Sequence, residues 1–147
     1  MTTTISDLSI LIKKETVIAA PAKLVFESVL MQFGPESMQP DGKPLDFKLE
    51  AWPGGRLYRD LGNNTGHFWA HVQVIKPPTL LELCGPMFMS YAVVNHVQWR
   101  IAEAPGGKSS TLSLVHRCFG DVSAEHREGM TKGWEIMMTK IKERAQR

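Results

Sequence analysis

Apolar and polar residues alternate with a period of two through most of this chain, and with a period near 3.6 in two stretches. That pattern predicts a sheet with one helix near its start and a longer one at its end. Ser9 to Ile18 alternates as a strand, and Pro21 supplies the preset φ favoured where a helix begins. Leu24, Val25, Phe26, Val29, Leu30 and Phe33 follow at helical spacing until Gly34-Pro35 stops them, and Gln39-Pro40-Asp41-Gly42-Lys43-Pro44 reads as loop. Strands are then predicted over Leu45 to Trp52, Arg56 to Leu61, His67 to Ile75, Leu80 to Cys84, Ala92 to Ala102 and Ser109 to Cys118. The Gly- and Pro-rich turns between them are too short for anything but antiparallel neighbours.

The closing helix, Ser123 to Gln146, has Ser123 as N-cap, Glu125 and Glu128 in its first turn, and Lys140, Lys142, Arg144 and Arg147 toward its end. Met130, Trp134, Met137, Met138 and Ile141 form its apolar stripe. At ~1.5 Å per residue it runs about 35 Å, enough to cross a whole sheet. A long helix that follows a run of antiparallel strands must bury its stripe on them, and a curved sheet gripping one helix leaves a cavity between the two. The expected fold is α+β: a curved antiparallel sheet of six to seven strands around a long C-terminal helix, with one or two short helices after the first strand, as one domain over residues 1–147.

Strand alternation sorts the side chains by face. Val93, Asn95, Val97, Trp99 and Ile101 share the predicted inner face of one strand, and Leu112, Leu114, His116 and Cys118 that of the next. His116 and Asn95 thus point inward among apolar and aromatic walls, as a polar pair orienting a ligand would, although a histidine bonded structurally gives the same pattern. On His67 to Ile75 the apolar set is Phe68, Ala70, Val72 and Val74, which turns His67, Trp69 and His71 outward and offers Trp69 to a partner or a covering loop. His67 and His71 are four apart on a strand, about 13 Å, too far to share a metal ion. Met87, Met89, Met130, Met137 and Met138 are candidates for an adaptable cavity lining, with ordinary core filling as the alternative.

Composition narrows the function classes. The 147 residues suffice for a core without disulfide or metal, and 43% hydrophobic and 22% charged residues are ordinary for a soluble domain. A net charge of +2 gives no nucleic-acid footprint, no apolar run is long enough to span a membrane, and Met1 to Asp7 lacks a basic leader region, so a cytoplasmic protein is expected. Cys84 and Cys118, without CxxC spacing, read as buried thiols. No nucleophile elbow, phosphate loop or dinucleotide fingerprint occurs, and neither metal nor cofactor is expected.

Several segments together resemble a known family: Ile18-Ala19-Ala20-Pro21-Ala22-Lys23-Leu24-Val25-Phe26, Pro53-Gly54-Gly55-Arg56, Gly66 with Val72 to Leu81, Thr111 to His116, and Gly133-Trp134. The family is the one related to the C-terminal domain of the activator of the Hsp90 ATPase, within the START/Bet v 1-like superfamily. The resemblance covers essentially the whole chain and implies the helix-grip fold with a hydrophobic cavity. The superfamily includes lipid carriers, hormone receptors, polyketide cyclases and co-chaperone domains, and the family supplies no catalytic motif to place on residues here. The expected function is binding of a small hydrophobic molecule, lipid-like or aromatic, in a cavity walled by Phe26, Leu30, Val97, Trp99, Leu114, Met130, Trp134 and Met138, with Asn95 and His116 at its polar end. Two alternatives stand beside it. One is a cyclase or hydrolase with His116 as general base; the other is an interaction or co-chaperone-like module in which Trp69 or a sheet edge docks a partner or a second copy as a homodimer.

Overall fold

The computed structural model describes residues 4, 8–38, 42–87 and 91–147. Met1 to Thr3, Ile5 to Asp7, Gln39 to Asp41 and Phe88 to Ser90 therefore lie outside the described residues, with the expectations attached to them. In chain order the elements are β1 (Ser9–Ile18), α1 (Ala22–Gln32), β2 (Phe47–Leu49), β3 (Arg56–Gly62), β4 (Thr65–Lys76), β5 (Leu80–Gly85), β6 (Val93–Glu103), β7 (Ser110–Gly120) and α2 (Ala124–Ala145). The strands form one seven-stranded sheet in the order β1-β7-β6-β5-β4-β3-β2, with antiparallel pairing throughout. This is the helix-grip arrangement, with a single helix between β1 and β2 among the described residues.

The inner faces read from β6 and β7 hold: Val93, Asn95, Val97, Trp99, Ile101, Leu112, Leu114, His116 and Cys118 are all buried. Onto this face α1 brings Val25, Phe26, Val29 and Phe33, and α2 brings Met130, Trp134, Met138, Ile141 and Ala145, whose spacing of three and four keeps them on one side of the helix. Ser123 caps α2 by accepting the His126 N–H at 3.2 Å. Pro21 has no side-chain oxygen with which to cap α1, and Glu103 from the β6–β7 hairpin accepts the Ala22 N–H there instead, at 2.9 Å. Between the helices, the Ser28 hydroxyl donates to the Ile141 carbonyl at 2.8 Å, and Arg144 donates to Gln32 Oε1 at 3.1 Å.

Three expectations need correction. The strand expected over Leu45 to Trp52 is regular only over Phe47–Leu49: Asp46 takes a left-handed φ of 55° before it, and after it the Glu50 N–H still bonds the Arg56 carbonyl at 2.8 Å but the chain then turns, with the Trp52 N–H on the Glu50 carbonyl at 2.9 Å. Cys84 is exposed, since it lies on the outer face of β5, whereas Cys118 is buried. The largest correction falls on β4. Leu57 pairs with Ala70 but Tyr58 pairs with Phe68, which leaves Trp69 as an extra residue on β4. A bulge of one residue moves the alternation by one place, so Trp69 joins Ala70 on the concave side and Phe68 turns out, 42% exposed. A second irregularity between Val72 and Val74 moves it back: Val74 faces Glu82, and Ile75, opposite the buried Leu81, packs on the core.

Gly85 sits against the first bulge. A Cβ at this position would lie 2.6 Å from the Trp69 carbonyl oxygen and 2.7 Å from the Ala70 Cα, both backbone atoms with little room to give. Gly85→Ala is therefore expected to lower stability by roughly 1–3 kcal/mol in urea unfolding. An unchanged midpoint would show that the bulge does not hold this close approach.

Candidate ligand-binding cavity

The bulge that turns Trp69 inward builds one wall of a cavity of about 260 Å³. This is just below the roughly 300–1,000 Å³ of sites for drug-sized ligands. Phe33 at the end of α1, Met38 and Leu45 on the segment into β2, Phe47 on β2, and Met87 beyond β5 line it together with Trp69. From α2 come Met130, Gly133, Trp134, Ile136, Met137 and Lys140. Phe47 and Trp69 meet edge to face with ring centroids 4.7 Å apart, which fixes the angle of the indole. Four of the lining residues, Met38, Met87, Met130 and Met137, carry flexible thioethers that can follow the outline of a bound molecule.

Few polar groups reach this space, and most are engaged elsewhere. The Gln32 amide accepts from Arg144 at 3.1 Å, and the Ser37 hydroxyl donates to the Gly34 carbonyl at 2.8 Å. Lys140 lines the cavity without an ion-pair partner among the described residues, and among those residues it is the one titratable side chain of the lining. The Trp69 indole N–H is buried with no acceptor among the described residues.

Of the ten residues singled out from the sequence, Met130 and Trp134 line the cavity. Phe26, Val97, Trp99, Leu114 and Met138 are buried in the core, with Leu30 packed against it. Alternation identified the correct face but not the position along it. The space lies over the bulged β2–β4 end of the sheet, while β6 and β7 sit beneath the helices. The residues missed from the sequence include Phe33, Phe47 and Gly133. Gly133 carried a readable signal, since a glycine inside a long helix costs about 1 kcal/mol relative to alanine and shares a face with Met130, Met137 and Lys140.

Asn95 and His116 are 3% and 1% exposed; they bond to each other, and His116 bonds to Trp134, beneath the cavity wall. The Trp134 indole N–H, which can only donate, reaches His116 Nδ1 at 2.9 Å, so Nδ1 must offer its lone pair. The ring proton is therefore on Nε2, which donates to Asn95 Oδ1 at 2.6 Å. Asn95 Nδ2 in turn donates to the Pro86 carbonyl at 2.8 Å and more weakly to that of Gly85 at 3.4 Å. Every member of the chain has one consistent orientation. Burial pushes the His116 pKa down from 6.5 to about 4, so the ring is neutral at pH 7. The lone pair a general base would use is committed to Trp134, so this geometry does not equip His116 for the base role considered from the sequence.

Comparison with known proteins adds the fold. No family model and no curated protein matches the sequence. Among solved structures, the di-domain ARO/CYC protein BexL from the BE-7585A biosynthetic pathway matches with a TM-score of 0.65 at 17% identity, over 95% of this chain and 51% of that one. The di-domain ARO/CYC StfQ from the steffimycin pathway matches with a TM-score of 0.65 at 11% identity, over 96% and 52% of the two chains. An uncharacterised protein from Rhizobium leguminosarum matches with a TM-score of 0.63 at 20% identity, over 91% and 92%. The chain thus spans about half the length of the two di-domain proteins. At these identities the likeness shows the shared helix-grip fold. No helix among the described residues is long and apolar enough to cross a membrane.

Trp134→Phe removes the indole donor that reaches the buried Nδ1 of His116 and is expected to cost about 1–3 kcal/mol beyond any loss of packing, read by chemical unfolding. The pH dependence has a definite sign. The unfolded chain protonates His116 near 6.5 and the folded one only near 4, so its contribution is intact above 6.5 and is lost as pH falls toward 4. From pH 7 to 4 this amounts to about 3 kcal/mol. The stability difference between wild type and His116→Gln should shrink by that amount over the interval, and a constant difference would show that the ring titrates alike in both states.

Proposed function

We propose that the protein binds a small amphipathic molecule, with its apolar body among Phe33, Phe47, Trp69, Met130, Trp134 and Met137 and an anionic group at Lys140. The observation that carries this reading is a methionine- and aromatic-lined cavity whose one titratable lining group among the described residues is the cation of Lys140. Micromolar affinity needs about 8 kcal/mol, which burial of roughly 300 Å² of apolar ligand surface supplies at ~25 cal/mol per Å². The neutral, doubly hydrogen-bonded His116, the Ser37 hydroxyl spent on the Gly34 carbonyl and a described lining without a carboxylate favour carriage or sensing over turnover. That ARO/CYC proteins share the fold keeps cyclisation as the alternative chemistry for such a cavity, with a base other than His116.

Membership of the family related to the Hsp90 ATPase activator domain belongs to the same proposal, supported by the ordered segments from Ile18 to Trp134, as does a cytosolic location. A co-chaperone-like docking role, and with it a place in stress response, is the reading that a cavity without ligand affinity would favour.

Gly133→Leu tests the proposal without threatening the fold. A Cβ at Gly133 meets no atom within 4 Å, and leucine is the better helix former by about 0.8 kcal/mol, so the variant fills the cavity while stability holds or rises. The probe 8-anilinonaphthalene-1-sulfonate combines an apolar body with one anionic group. It should bind the wild type in the micromolar range by fluorescence, at least about tenfold more weakly to Gly133→Leu, and a few-fold more weakly to Lys140→Met. Equal binding by Gly133→Leu would overturn the assignment.

A further inference from the structure

β1 closes one end of the sheet, and among the described residues its outer edge has no strand partner. Its outward side chains are Leu11, Lys13, Glu15 and Val17, all exposed; Leu11 and Val17 remain 50% and 59% accessible. Long edge strands are usually blunted, and here an apolar residue stands at each end of the exposed face with opposite charges between them. The arrangement is complementary to itself.

The geometry points to a homodimer in which the β1 edges of two copies pair antiparallel about a two-fold axis through Lys14. Facing residues of two identical strands must project to the same side, so the axis has to pass through a residue rather than between two. Three positions lie near the centre of β1. An axis at Lys13 sets that lysine against itself and Leu11 against the second copy's Glu15. An axis at Glu15 sets two carboxylates together and Lys13 against Val17. The axis at Lys14 alone places Lys13 opposite the second copy's Glu15, and Leu11 opposite its Val17, each twice by symmetry. The two Lys14 side chains that then meet on the inner face are each already paired with Glu135 of α2 at 2.7 Å. A polar groove between β1 and α2, lined by Lys14, Thr16, Glu135 and Thr139, leaves room for them.

The contact is a strip rather than a broad patch, so association in the micromolar range is expected. Sedimentation across that range tests it. Wild type should dimerise, whereas Lys13→Glu and Glu15→Lys, each with two like-charge pairs at the interface, should dissociate at least about tenfold more readily. Mixing the two variants in equal amounts restores both opposite-charge pairs and should restore a dimer containing one of each; the double variant K13E/E15K should dimerise like the wild type. Both residues are exposed, so thermal melts should show unchanged folding. A wild type that stays monomeric, single variants that dimerise as well as it does, or a mixture that stays monomeric would overturn the proposal.

Discussion

The indole N–H of Trp134 on helix α2 is buried in a largely apolar interface with the sheet, and it meets its acceptor there. An unpaired buried donor costs about as much as a good hydrophobic contact contributes, so this bond decides whether Trp134 stabilises the fold or opposes it. The neutral ring of His116 provides the acceptor, Asn95 takes the remaining ring proton, and the carbonyls of Pro86 and Gly85 close the chain. A single run of hydrogen bonds thus links α2 to β7, to β6 and to the segment leaving β5. Each bond fixes the donor and acceptor role of the next, which leaves one orientation for the helix over that part of the sheet.

The cavity follows from that placement and from two local departures from regular structure. With α2 held down at Trp134, Gly133 beside it has no side chain to fill the space toward β2, and the bulge on β4 swings Trp69 in from the far side to form the opposite wall. The bulge depends in turn on Gly85, where the neighbouring strand passes too close for a side chain. The segment from Gly85 to Met87 therefore serves both structures, since it accepts from Asn95 and the Met87 N–H donates to the Trp69 carbonyl at 2.8 Å. The polar chain beneath the wall and the apolar chamber above it are supported by the same few residues.

The element order, the antiparallel pairing and the inner faces of β6 and β7 were legible because two-residue alternation and turn residues report the backbone directly. Trp69 was not legible. A bulge depends on how two strands are matched, and nothing within His67 to Ile75 marks one residue as extra; Gly85, whose lack of a side chain accommodates it, is fourteen positions or more from most of that strand and reads locally as a strand end. His116 was read correctly as buried and inward, but whether it faced a ligand or another side chain depended on Trp134 reaching it from the last helix. Two inward residues on separate elements can be recognised from periodicity, whereas a hydrogen bond between them cannot.

The polar chain depends most on the protonation state of His116, and nitrogen-15 NMR of its imidazole reads that state directly. Between pH 7 and 5 the expected ring is protonated at Nε2 only, with Nδ1 shifted as a hydrogen-bond acceptor, and does not titrate until the pH approaches about 4. A ring that titrates near 6.5, or carries its neutral proton on Nδ1, would contradict the polar chain and return His116 to the set of groups available for acid–base chemistry.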